Sequence, residues 1–249
     1  MKLLSVVFSF RNEEGNIQEL VERVHNSLKN SSNWEYELVF VNDDSSDKSE
    51  NILLKLQKSY PIKIINMSRN FGVDPCVLAG FRHAKGEAVV YLHTDLQDPP
   101  ELIPELLKKY EDGFDIVHTV RTKRKGETKF RMFVTKVAYY LINILSDINL
   151  PIEAGDYKLI SKKALEKILN QKEFRPYVRG LSVWVGFKQA YLNYERCQIR
   201  ISVYKYCIKR WIISYFSSFA FYILIYTLNR SMYSYGSFNG KHAFVLGYE

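Results

Sequence analysis

The sequence predicts an α/β fold: a mostly parallel central sheet flanked by helices on both faces, with a C-terminal amphipathic, membrane-proximal helical segment. Three observations lead there. Runs rich in β-branched and aromatic residues alternate with helical periodicity as far as residue 120. Each run stops in a short polar loop. Far downstream, the uncharged stretch 211–228 follows Lys205, Lys209 and Arg210.

The elements follow in order. The first strand is LLSVVFSF, residues 3–10, and Ile17, Leu20, Val21, Val24 and Leu28 then recur at helical spacing. YELVFV (36–41) is a second strand, and Ile52, Leu53 and Leu56 mark a second helix. IKIINM (62–67) is a third strand, with Val77, Leu78 and Phe81 on the helix after it. EAVVYL (87–92) is a fourth. PPELIPELLKKYE then opens a helix with prolines in the first turn, where a missing N–H leaves no bond unmade. FDIVHTV (114–120) is a fifth strand. Right-handed crossovers between parallel strands put the functional loops at the carboxyl ends. Near residue 121 the pattern changes, which marks a boundary between two lobes of one domain. RTKRKGETKFR is a basic loop, MFVTKVAYYLINILS an amphipathic helix, PIEAGDYKLIS a turn and short strand, and RPYVRGLSVWVGF an aromatic stretch with two arginines.

With 249 residues, 47% of them hydrophobic, the chain can bury one sizeable core. A formal charge of +8 suits nucleic acid, an anionic membrane surface or phosphate-bearing small molecules. No nucleic-acid module or repeated aromatic platform accompanies that charge, so nucleic acid is not an expected partner. Three cysteines without paired spacing argue for a reducing compartment. The opening MKLLSVVFSFRNEE reads as a strand, because its apolar run is short and lacks a small-residue cleavage site. The 211–228 stretch carries serines and tyrosines. It reads first as a membrane-surface segment, second as a span and third as a buried core helix.

Neither a glycine-rich dinucleotide fingerprint nor a phosphate loop is present, which argues against the common nucleotide enzymes built on them. The loop VNDDSSD, after the second strand, is a turn by composition; Asp43 at the strand end is placed to accept from a nucleobase N–H or a ribose hydroxyl. The loop HTDLQD, after the fourth, offers oxygen ligands of the kind Mg2+ prefers, and imidazole suits Mn2+. In extended backbone His93, Asp95 and Gln97 project to one side. A plainer reading makes Asp98 the N-cap before Pro99, and both readings can hold. His25, His83, His118 and His242 have no ligand-like neighbours and read as structural or solvated. Arg121, Arg124, Lys129 and Arg131 form a solvated face or, on the loop edge, forks for a phosphate.

Seven pieces in order carry a resemblance: NEEGNI, VNDDSSD, SRNFG with AGFRHAKGEAVVYL, DLQDPPE, GFDIV, AGDYKLIS and RGLSVWVGF. Together, over residues 3–206, they resemble glycosyltransferase family 2 with its GT-A fold, and more narrowly the polyprenyl-phosphate glycosyltransferases. The resemblance implies a nucleotide-sugar-binding lobe at 1–120, an acceptor lobe at 121–206 and a membrane-associating segment at 207–249. It implies that Glu13 and Asp43 hold the base and ribose of a nucleotide sugar, with Arg69 and Asn70 in support. Asp95 and Gln97 would hold Mn2+ or Mg2+. Arg121 and Arg131 match residues implicated with phosphates, Gly155 and Asp156 lie near the acceptor, and Arg200 and Lys205 match a basic segment.

The sequence departs from the family pattern in three places. His93 stands where the leading metal aspartate is expected, which implies weaker metal affinity or a preference for Mn2+. FSFRNEE lacks a proline and carries Arg11, and RISVYKY lacks the glycine and serine of its counterpart. The implied function is inverting transfer of a sugar, UDP-linked by default, to a polyprenyl phosphate at the cytoplasmic face of the membrane. Extension of a saccharide with Asp156 as base stands as an alternative, and a non-catalytic nucleotide-sugar binder as a third reading. Association into a homo-oligomer is left open.

Overall fold

The computed structural model describes residues 1–31, 33–121, 154–171 and 178–194. Its elements are β1 (Lys2–Phe10), α1 (Ile17–Leu28), β2 (Trp34–Asn42), α2 (Ser49–Leu56), β3 (Ile62–Asn66), α3 (Val73–His83) and β4 (Ala88–Tyr91). A 3-10 turn (Pro100–Leu102) then runs into α4 (Ile103–Glu111), followed by β5 (Ile116–Arg121), β6 (Ala154–Ser161), α5 (Lys162–Leu169), α6 (Val178–Trp184) and β7 (Gln189–Tyr194). The predicted helix at 132–146, the stretch 211–228 and Arg124, Lys129, Arg131, Arg200, Lys205 and His242 lie outside the described residues.

Among the described residues one sheet forms, in the order β3-β2-β1-β4-β6-β5-β7. β6 is antiparallel to both neighbours, β4 and β5, and the other pairings are parallel. The amino end of β6 therefore lies on the same edge as the carboxyl ends of the other strands. The expected short strand in PIEAGDYKLIS is this long central one.

β1 shows why the inner strands read as unbroken apolar runs: both of its faces are covered. Leu4, Val6, Phe8 and Phe10 point to one face, where they meet α1 and α4 through Leu20, Val24 and Leu106. Val7 points to the other, towards Val77 and Phe81 of α3 and Leu165 of α5. Phe8 and Phe40 stack across β1 and β2 at 4.4 Å. On the second face α3 comes unusually close, because Gly80 rests on Val7; a Cβ there would collide with the Val7 Cγ1 and lie 3.2 Å from Val41 Cγ2. Among the described residues no helix is long and apolar enough to cross a membrane.

Candidate active site

Of the four non-glycine residues with positive φ among the described residues, three, Asn12, Asp44 and Leu96, fall in loops leaving the carboxyl edge, and Phe187 precedes β7. Left-handed backbone is uncommon for such residues and is often retained at functional sites. The loops after β1 and β2 are stitched together reciprocally. Asn12 N–H donates to Ser45 Oγ at 3.0 Å, and Ser46 N–H donates to Asn12 Oδ1 at 2.8 Å. Glu14 N–H donates to Asp47 Oδ2, and Lys48 N–H returns to Glu14 Oε2. NEE and NDDSSD thus form one unit whose side chains replace missing backbone partners.

Glu13 sits on this unit, half-buried, with Asn16 donating to it at 2.6 Å. Burial raises its pKa against that hydrogen bond, and the charge of Asp95 adds to the rise. Asp43 is buried, and its oxygens accept from the N–H groups of Phe71 at 2.7 Å and Gly72 at 3.0 Å. It therefore fixes the turn into α3, a role the sequence did not disclose. Gly72 has φ 91°, which glycine adopts without strain. Arg69 lies exposed over the Phe71 ring at 3.9 Å. Asn70 lies against Arg11.

The HTDLQD loop is not extended as its alternation suggested. β4 stops at Tyr91, Leu96 has φ 57°, and Gln97 N–H donates to Asp95 Oδ1 at 3.1 Å. An aspartate that closes its own turn breaks the alternation. His93 meets Asp156 of β6, Nε2 to Oδ2 at 3.4 Å, and the charge of Asp95 also reaches it. Among the described residues no three histidine, cysteine, aspartate or glutamate side chains converge as a metal cluster. Asp98 does not cap the following helix, whose first turn is preceded by Pro99 and has no side-chain cap. Its buried carboxylate instead accepts from the Tyr194 hydroxyl and lies 3.5 Å from Arg121 Nη2. Arg121 also donates to Tyr194 at 3.1 Å and lies over Gly155, where a Cβ would sit 3.4 Å from the guanidinium. Burial opposes its charge, but Asp98 and then Tyr194 outweigh that and raise its pKa.

The acceptor-side residues meet around Asp156. Arg179 of α6 grips it twice, Nε to Oδ1 at 2.9 Å and Nη2 to Oδ2 at 2.6 Å. Burial works against the Asp156 charge, yet Arg179 and His93 together hold the carboxyl well below its ordinary range. The same contest raises His93: burial lowers it, but the hydrogen bond and charge of Asp156 prevail. Lys158, two residues along β6, is buried and donates to Ser182 Oγ at 2.9 Å. Burial lowers its pKa to about 8, against the pull of Asp156. Asp74, open to solvent but crowded by protein on its inner side, is pushed up to about 6 by desolvation and then by Asp156.

The structure thus brings together Glu13, His93 and Asp95, with Asp156 in contact with His93. Arg121 is braced nearby against Asp98. Arg179, Lys158, Tyr91 and Asp74 were not singled out from sequence. Arg179, Lys158 and Tyr91 each sit inside a phrase quoted above, RGLSVWVGF, AGDYKLIS and AGFRHAKGEAVVYL, but nothing in those phrases marked the individual residue.

The family model described as Glycosyl transferase family 2 matches residues 5–169. An uncharacterised glycosyltransferase of Bacillus subtilis, YkcC, is 42% identical over 207 residues, 83% of this chain and 64% of the relative. A bactoprenol glucosyl transferase of Shigella phage SfV is 33% identical over 196 residues, 78% of this chain and 64% of its own length. The chain thus spans a little under two thirds of these relatives. Among solved structures, a Pyrobaculum calidifontis mannosyltransferase in complex with GDP-Man and Mn2+ superimposes with TM-score 0.59 at 16% identity, covering 96% of this chain and 65% of that one. Staphylococcus aureus TarS in complex with UDP-GlcNAc gives TM-score 0.55 at 16% identity, covering 83% and 62%. The sheet is that of a GT-A fold, and the chain belongs to glycosyltransferase family 2.

Proposed function

We propose that this chain carries the catalytic domain of an inverting glycosyltransferase that moves a sugar from a nucleotide sugar, UDP-linked, to a polyprenyl phosphate at the cytoplasmic face of a membrane. Residues 1–120 hold the donor, 121–206 face the acceptor, and 207–249 associate with the membrane. The observation that carries the choice of acceptor is the state of Asp156. Its oxygens are occupied by Arg179 and His93, and its carboxyl lies well below the ordinary range. Such a carboxylate is a weak base. A sugar hydroxyl needs a base to take its proton, whereas a phosphate monoester is already an anion and needs positioning. The relative named as a bactoprenol glucosyl transferase supports the same reading.

On the donor side, Glu13 and Asp43 stand at the ends of β1 and β2 for the ribose and base, with Arg69 and Asn70 at the next loop. A divalent cation, Mn2+ or Mg2+, fits Asp95 with Gln97 beside it. Such ions commonly take one or two protein carboxylates and complete their shell with substrate phosphates and water. When bound, it supplies charge neutralisation of the pyrophosphate and stabilises the leaving nucleoside diphosphate. Arg121, with its geometry fixed by Asp98 and Tyr194, and Arg179 place positive charge where phosphates would sit. Arg131 and Lys205 are proposed to add to that charge.

The test is transfer of radiolabelled sugar from UDP-sugars to polyprenyl phosphate in detergent, with Mn2+. Label is expected in the organic phase, and Asp95→Asn is expected to lower the rate at least tenfold. Label appearing only on a saccharide acceptor would favour chain extension. Donor binding without turnover on any acceptor would make the protein a binder.

A further inference from the structure

We infer that His93 is a positioning residue for the acceptor side, holding Asp156 and through it Arg179, and not a ligand of the donor's cation. The inference rests on the functional reading above and concerns the position where this chain departs most from the pattern it resembles. It is carried by where the two ring nitrogens point. Nε2 faces Asp156 Oδ2 at 3.4 Å. An ionised carboxylate only accepts, so that nitrogen carries the proton and has no lone pair for a metal. Nδ1 faces the Tyr91 hydroxyl at 3.3 Å. Tyr91 is buried at the end of β4 and its ring meets the imidazole edge to face at 5.2 Å. Nδ1 therefore faces the buried end of β4, where the Tyr91 hydroxyl already occupies it.

The contacts continue in both directions. Ser9 Oγ of β1 meets the Tyr91 hydroxyl at 3.0 Å. Beyond Asp156, Arg179 is fixed at its other end by Ser182, which donates to the Arg179 carbonyl at 2.8 Å and accepts from Lys158. One continuous set of hydrogen bonds thus crosses from β1 through β4 and β6 to α6, and His93 is its middle link. Second-layer groups of this kind fix the angle of a charged fork that must meet an anion bidentately. A carboxylate at position 93 would face the Asp156 carboxylate, push it away and loosen Arg179.

The test separates metal binding from acceptor handling. Mn2+ binding in the presence of UDP is followed by electron paramagnetic resonance for the wild type, His93→Gln and His93→Asp, alongside acceptor KM and kcat. A glutamine amide nitrogen can stand near the place of Nε2, so His93→Gln is the conservative variant and guards against misfolding. The expected result is Mn2+ affinity within about threefold of wild type in both variants. Acceptor KM should rise tenfold or more in His93→Asp and less in His93→Gln, with partial recovery in the double variant His93→Asp/Asp156→Asn. Tenfold tighter Mn2+ binding by His93→Asp, with tenfold weaker binding by His93→Gln, would overturn the inference while leaving the functional reading intact. A wild-type chain that binds no Mn2+ with UDP overturns the functional reading, and the inference falls with it.

Discussion

Arg179 and Asp156 form a two-point ion pair in which each side chain is less than one third exposed. At this depth the pair is worth more than a surface bridge, and loss of one partner leaves the other charge poorly solvated. Arg179→Met should therefore lower stability by about 1–2 kcal/mol in urea titration. It should also raise the Asp156 pKa, because Arg179 is the strongest influence holding it down. Arg179→Lys should recover only part of the loss, since an ammonium cannot reproduce a planar fork. Full recovery with lysine would mean that charge alone matters. None of this was legible in the sequence at position 179, because the meaning of an arginine in α6 depends on β6 lying beside it.

The elements divide into those that announce themselves and those that do not. β1, β2 and β4 were plain because both faces of each are covered, which leaves an unbroken apolar run between polar loops. β7 escaped notice. QAYLNY alternates polar and apolar residues at the rim of the sheet, with Tyr191 and Asn193 exposed, and resembles any surface stretch. The HTDLQD loop differs from expectation in its backbone alone: alternation implies a shared face only while the chain stays extended, and Leu96 turns it. The seat of α3 on the sheet yields a sharp prediction. Gly80→Ala places a methyl against Val7 and should cost about 1–3 kcal/mol of stability. Adding Val7→Ala should return part of it, so that the double variant is less destabilised than the sum of the singles. Simple additivity in thermal or urea melts would show that α3 shifts instead.

For the molecule as a whole, two buried bases shape the response to pH. Burial pushes His118 down to about 3, the charge of Lys158 assists, and its Nδ1 has no hydrogen-bond partner among the described residues. Between its ordinary value of 6.5 and about 3 the unfolded chain holds a proton that the folded chain refuses, so stability falls as pH falls through that window. His118→Gln should flatten the acid limb by up to about 1.4 kcal/mol per pH unit, measured by urea midpoints from pH 4 to 6. Lys158 acts in the same direction at the other end: between about 8 and 10.5 the unfolded chain binds more protons, and stability rises with pH. Lys158→Met should remove that rise. The antiparallel seat of β6 has a consequence of another kind. Val120 and Ala154 are paired neighbours, so the chain between β5 and β6 departs from and returns to one place. The entropy of closing such a chain grows only with the logarithm of its length, about 0.6 kcal/mol for each doubling. The length and sequence of that interval are therefore free to change at little cost, while Arg121 and Asp156 stay where the sheet holds them.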